Sequence, residues 1–150
     1  NKIYFTPSAY HKFQKIFEPT SPPLLKRIET ITDLIAGTIN IKAHIGPVIP
    51  FLTDIEKIFN LLPKQLKEVE LEVYNFKIGS PDKILELTSK YFGKELAGKI
   101  KETYQKEENY KIYTKELIQN VLNLNIKHNF KINFIIPEFN SWYNKNIQYE

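Results

Sequence analysis

Residues 126 to 136, IKHNFKINFII, set the strongest constraint on what this chain can become. Ile126, His128, Phe130, Ile132, Phe134 and Ile136 fall on every second position, with polar residues between them until Ile135. A period of two places alternate side chains on opposite faces, so the stretch predicts a strand with one dry face and one wet face. Two more segments share that period. Ile39, Ile41, Ala43 and Ile45 alternate with Asn40, Lys42 and His44, and Val69, Leu71 and Val73 alternate with Glu68, Glu70 and Glu72. In the latter the apolar set then shifts to Tyr74, Phe76 and Ile78, which predicts a bulge near Val73 and Tyr74. Lys2 to Phe5 adds a short aromatic and β-branched candidate strand.

Helical spacing appears between these segments. Leu24, Ile28, Ile31 and Ile35 recur at helical intervals after Pro22-Pro23 and before Gly37, which predicts one helix with its start and stop marked. Ser80, Pro81 and Asp82 make a cap, a first-turn proline and a dipole-facing acid for a second, closed by Gly93. Leu117, Ile118, Val121, Leu122 and Leu124 predict a third. AYHKFQKIF reads as a brief helical or irregular stretch, and LAGKIKETY reads as a weak strand. DIEKIFNLLP fits a short helix or a returning strand equally well. The tail, with Phe139, Trp142 and Tyr143, is aromatic enough to pack on something.

The order of elements to Thr103 predicts an α+β fold of the ferredoxin-like, split βαβ kind, a sheet with helices on one face. Residues 1–105 form the expected domain, and 106–150 an appended helix and strand packed on it or on a partner. At 150 residues the chain can bury a full core.

Composition narrows the chemistry. Cysteine is absent, which excludes disulfides, thiolate nucleophiles and zinc-thiolate sites. No apolar run approaches the ~20 residues of a membrane helix, and the N-terminus lacks the pattern of a signal peptide. Methionine is also absent, even at position 1, so a start upstream or processing is expected. Arg27 is the single arginine among 21 basic residues, in a chain rich in Ile, Lys, Asn, Tyr and Phe. That is the usage of an AT-rich genome, as in an organelle, a parasite or a virus. The net charge of +4 permits a polyanionic partner without requiring one.

No phosphate-binding glycine loop, metalloprotease motif or nucleophile elbow is present. His11, His44 and His128 fall in different elements, and packed or edge roles are expected for them. Glu68, Glu70 and Glu72 line one strand face and could hold a hard cation, but Lys42 and Lys99 on paired strands would neutralise them more simply. No metal, cofactor or small-molecule substrate is expected. Lys12, Lys15, Lys26, Lys57, Lys64 and Lys67 are spread over the first half, suited to a solvated surface or to point contacts with phosphate.

Residues 41 to 53, IKAHIGPVIPFLT, carry a resemblance. A strand entering Gly46-Pro47, followed by Pro50 and Thr53, is similar to the GPIPLPT hairpin of small-subunit ribosomal protein ten. KIYFTPSAYH resembles that family's first strand and turn, LLKRIETITDLIAGT the helix before its hairpin, and GSPDKILELTSKYF its second helix. The likeness spans about residues 2 to 103.

It implies a non-enzymatic structural constituent of the small-subunit head, on the mitochondrial ribosome or otherwise in the cytoplasm. Gly46, Pro47, Val48, Ile49, Pro50, Phe51 and Thr53 would be a protruding hairpin that docks on neighbouring head proteins. His11, Lys12, Lys15, Lys42, His44, Lys57, Lys64 and Lys67 would contact small-subunit rRNA. Two alternatives stand beside it. KIYFTPSAYHKF also resembles the opening of RelE-type endoribonuclease toxins. Alternatively, the chain is a non-catalytic interaction module of viral or parasite origin whose C-terminal third carries the interface.

Overall fold

The computed structural model describes residues 3–5, 12–141 and 144–149, and the side chains of 3–5 are left aside. Five strands form one sheet in chain order: β1 (Ile3–Phe5), β2 (Ile41–Val48), β3 (Glu68–Val73), β4 (Lys131–Pro137) and β5 (Asn144–Tyr149). The first four are mutually parallel, and β5 returns antiparallel to β4. The connections between parallel strands carry α1 (Lys12–Phe17) and α2 (Leu24–Ala36), then α3 (Ile55–Leu61), then α4 (Pro81–Phe92), α5 (Lys94–Gln105) and α6 (Glu107–Asn125). Consecutive parallel neighbours joined by right-handed crossovers must place every connecting helix on the same face. Burial agrees with that geometry. Ile41, Ala43, Ile45, Val69, Leu71, Val73, Ile132, Phe134 and Ile136 join one core with Leu24, Ile31, Ile58, Phe59, Ile100, Leu117 and Val121 from the helices.

The α+β class holds, but the split βαβ arrangement does not. Its neighbours would be antiparallel and out of chain order, whereas β1 to β4 are parallel and in order. Residues 106–150, expected as an extension packed on the first part or on a partner, follow the boundary at residue 105. It falls between α5 and α6, and β4, beyond it, pairs along β3 and fills the shared core with Ile132 and Phe134.

Local chemistry accounts for most element ends. α2 stops at Gly37, yet the left-handed residue is Thr38, with φ 64°. Ser80 takes the N-cap position of α4 without a side-chain hydrogen bond, and Pro81 opens the helix. Gly93 has φ 105° and ψ 153°, a conformation that is nearly exclusive to glycine, and it redirects the chain from α4 into α5. LAGKIKETY is therefore helix rather than strand, with Ala97, Ile100 and Tyr104 on its buried stripe. DIEKIFNLLP is also a helix, started by Asp54, whose carboxylate accepts from the Lys57 N–H at 3.0 Å.

The predicted bulge belongs to β2 instead of β3. Register against β3 shifts between Ile45 and Val48, where Gly46-Pro47 intervenes. Ile126 to Asn129, expected as strand, form the turn between α6 and β4, and Ile126 is 80% exposed. The aromatic tail supplies β5, with Ile147 and Tyr149 packed against the core.

Because β4 is a central strand, loss of its largest buried ring should weaken the whole chain at once. Phe134 is fully buried and sits in register with Leu71 and Ile147. Phe134→Ala should cost about 3–5 kcal/mol. A urea titration read by far-ultraviolet circular dichroism and by tyrosine fluorescence should show one coincident transition for both proteins. Two separated transitions would mean that residues 1–105 form a unit of their own.

Candidate functional site

The sheet face turned away from the helices carries a ladder of charges. Strand alternation sends Lys42, His44, Glu68, Glu70, Glu72, Lys131 and Asn133 to that side, since their neighbours in sequence fill the core. His44 lies between two carboxylates. Its Nδ1 is 3.0 Å from Glu70 Oε1 and its Nε2 is 3.0 Å from Glu72 Oε2. Lys42 Nζ donates to Glu70 Oε2 at 2.7 Å, and Asn133 Nδ2 donates to the same oxygen at 2.7 Å. Glu70 is the hub, its side chain 9% exposed, while Glu72 at 39% is open to water.

These contacts set the protonation. Burial pushes the Glu70 carboxyl up, but the hydrogen bonds from Lys42, Asn133 and His44 together hold it below the ordinary range. For His44 the bond to Glu72 is the largest influence and outweighs burial; Glu70 adds to it, so the imidazolium is favoured. A protonated imidazole satisfies both carboxylates, and a neutral one donates to a single partner. Gly46 makes room for this arrangement, because a Cβ there would stand 2.9 Å from both Glu72 Cβ and His44 Nε2.

Chemically the ladder is closed upon itself. Both ring nitrogens of His44 are engaged, and the carboxylates flank the ring on opposite sides rather than converging on a point. Among the described residues no group of His, Asp and Glu is arranged to hold a metal. Lys42 and His44, expected at rRNA phosphate, are bonded to carboxylates of their own sheet, Lys42 to Glu70 and His44 to Glu70 and Glu72. Lys42 does neutralise the glutamates as expected. Lys99 does not: it lies on α5 and pairs with Glu95.

The hairpin expectation is also corrected. Gly46, Pro47 and Val48 finish β2, and Val48 and Ile49 are 2% exposed. Pro50 is buried as well. Thr53 Oγ1 accepts from the Ile49 N–H at 2.9 Å, closing a tight turn with Phe51 at φ 63°. Pro47 and Phe51 are the exposed members of this group, Phe51 at 60%. With Thr53 it borders a groove of about 600 Å³ between α3 and α6. The apolar tip is the end of a core strand that pairs parallel to β3, and not a hairpin.

The remaining predicted residues scatter, apart from one group. His11 lies outside the described residues. Lys12 caps α4, its Nζ donating to the Tyr91 carbonyl and lying 4.9 Å from the Phe92 ring centre. Lys15 is exposed on α1 and Lys57 on α3. Lys64 and Lys67 are exposed in the loop between α3 and β3. There the fold brings them to His128 of the α6–β4 turn, expected in a packed or edge role, and to two lysines not singled out from the sequence, Lys127 in that turn and Lys131 at the start of β4. The Lys131 N–H donates to the Lys67 carbonyl at 2.8 Å. Phe59 of α3 meets the His128 ring edge-on at 5.7 Å. No aspartate or glutamate occurs from 57 to 67 or from 117 to 137. This end of the molecule is rich in lysine, and Glu68, in register with Lys131, is the carboxylate beside it. The acid-free run was a usable signal, hidden because its two halves lie far apart in sequence.

His44 links the ladder to pH. Its folded pKa is raised above 6.5, so its contribution to stability is full below the unfolded value and is lost as pH rises through the folded one. Glu70, lowered from 4.5, contributes above that value and loses it as pH falls further. Thermal melting between pH 5.5 and 8.5, taken as a trial range of about three units, should therefore show a decline that His44→Gln abolishes. An equal decline in that variant would assign the effect elsewhere.

No family model matches the chain, and no curated protein or solved structure matches it either.

Proposed function

We propose that this chain is a non-catalytic RNA-contacting protein, a structural constituent of a ribonucleoprotein of the kind that the likeness to small-subunit ribosomal protein ten implies. The observation that carries the proposal is the basic end, where Lys64, Lys67 and Lys127 gather around two turns beside Lys131. Lysines on short loops act as point charges. They neutralise phosphates and fix position without reading bases. With Val48, Ile49 and Pro50 buried, partner proteins of such an assembly would meet other surfaces. The sheet face holding Glu72 and the exposed β5 residues Asn146 and Gln148 is one such surface.

Two observations favour binding over RNA cleavage. Arg27, the chain's one arginine, sits at the start of α2 and pairs with Glu18 at 3.1 Å. His44 has both ring nitrogens bound to carboxylates, which leaves it no free position to act as a general base.

Anisotropy of a fluorescein-labelled oligouridylate tests the proposal. Wild-type binding should weaken steeply with salt, by about 0.7 in log K per log salt for each phosphate neutralised. Lys64→Glu/Lys67→Glu/Lys127→Glu should lose most of the affinity and about 2 units of that slope. Lys83→Glu/Lys94→Glu/Lys101→Glu, an equal charge change on exposed positions of α4 and α5, should bind nearly as wild type. Equal losses in both triple variants would reduce the basic end to a share of net charge.

A further inference from the structure

At the centre of the basic end stands an imidazole with no internal partner. His128 is half-exposed, and among the described residues its ring nitrogens make no hydrogen bond. Its position is nonetheless fixed. Asn125 Nδ2 donates to the Phe130 carbonyl at 2.7 Å, and Asn125 Oδ1 accepts from the Phe130 N–H at 2.9 Å, which clamps the turn. Asn129 takes the left-handed conformation at φ 58°, one that asparagine tolerates better than most residues. The His128 ring stacks on Phe130 at 5.3 Å and meets Phe59 edge-on at 5.7 Å. The aromatic contacts orient the imidazole but use neither nitrogen.

The charges that act on it are those of Lys127 and Lys64. The α3–β3 loop contributes Lys64 and Lys67, the α6–β4 turn contributes Lys127, and β4 contributes Lys131. α3 and the last turns of α6 contribute no acid beyond Glu56 and Glu116. The carboxylate at this end is Glu68, which opens β3 in register with both Lys42 and Lys131. An oriented imidazole beside lysines, with no carboxylate hydrogen-bonded to it, matches a tetrahedral oxyanion.

We propose that Lys64, Lys127 and the imidazole of His128 form a phosphate-binding subsite of this end, and that RNA binding there is coupled to uptake of a proton on His128. The inference rests on the RNA-contacting role proposed above. In the free protein, burial and then the nearby Lys127 and Lys64 charges hold the His128 pKa below 6.5, so the ring is neutral at pH 7. A phosphate placed between the lysines and the ring cancels their field and supplies a counter-charge. Both changes favour the imidazolium, whose two N–H groups can donate to phosphate oxygens where the neutral ring offers one. By linkage, whatever raises the pKa on binding makes binding tighter as pH falls.

The test uses the full chain, the same oligouridylate and buffers of constant ionic strength. Wild-type affinity should rise about threefold or more from pH 8 to pH 6, bounded by about tenfold per pH unit for one proton. His128→Gln should flatten that rise and bind at every pH about as wild type does at pH 8. His128→Lys, which fixes the charge, should be flat as well and bind at pH 8 as tightly as wild type at pH 6. Circular dichroism checks that each variant is folded. If His128→Gln keeps the wild-type pH slope while the Lys64, Lys67 and Lys127 triple variant loses binding, the proton-linked subsite is overturned and the RNA-contacting role stands. If the triple variant binds as its control does, the role itself fails and the subsite fails with it.

Discussion

Everything in this molecule follows from four parallel strands being laid down in chain order. Consecutive parallel pairing needs a crossover for every step, and right-handed crossovers between adjacent strands deliver all their helices to one side. The core then lies wholly between that side and the helical layer, where Ile45, Leu71 and Phe134 meet Ile58, Ile100 and Val121. Parallel sheets are usually covered on both faces. Here the second face receives no described helix, so its side chains must be polar and must also satisfy one another at strand spacing.

The glutamates of β3 answer that demand. Three like charges on alternate positions would repel if left alone. Across β2 stand Lys42 and His44, and across β4 stand Lys131 and Asn133, so the acidic row lies between donors. Glu70, nearly buried, receives three of them. A buried charge without such partners would be strongly destabilising, and replacing one member of the set leaves the rest uncompensated. The network therefore registers β2 against β3: a slip by one residue would turn His44 into the core and Ile45 outwards. Gly46 belongs to the same device, since the close approach of Glu72 and His44 leaves no space for a side chain.

Alternation and helical spacing were strong enough to place most elements from sequence. β2, β3, α2 and α4 lie within a few residues of their expected bounds. What alternation does not encode is strand direction. A strand with one wet face is usual for antiparallel sheets, and the polar rows of β2, β3 and β4 led naturally to a split βαβ arrangement. Helix spacing in LAGKIKETY was masked by its brevity and by Gly98, while Gly93 marked the joint between α4 and α5 as well as the end of α4. The Gly-Pro tip misled for a physical reason. Proline stiffness and apolar flanks suit a docking arm, but the same residues suit a strand that bulges as it leaves the core, and the burial of Val48 and Ile49 decides for the latter.

The basic end was half legible, since Lys64 and Lys67 were recognisable as candidate contacts but Lys127 and Lys131 needed the fold to join them. A plainer account of those lysines is that they complement the negative ends of α3 and α6, which both terminate there. Two helix C-termini carry about one elementary charge between them, against Lys64, Lys67 and Lys127, while Lys131 faces Glu68 across the strands. Elsewhere the chain pairs helix lysines locally, as in Glu95 with Lys99 at 2.8 Å and Glu107 with Lys111 at 2.7 Å. Acid is available to this sequence and is spent readily on its helices, yet none appears in the last two turns of α6 or in the turn beyond it. Complementing the helix ends thus explains a fraction of the positive charge, and the remainder is available to the RNA contact proposed for this end.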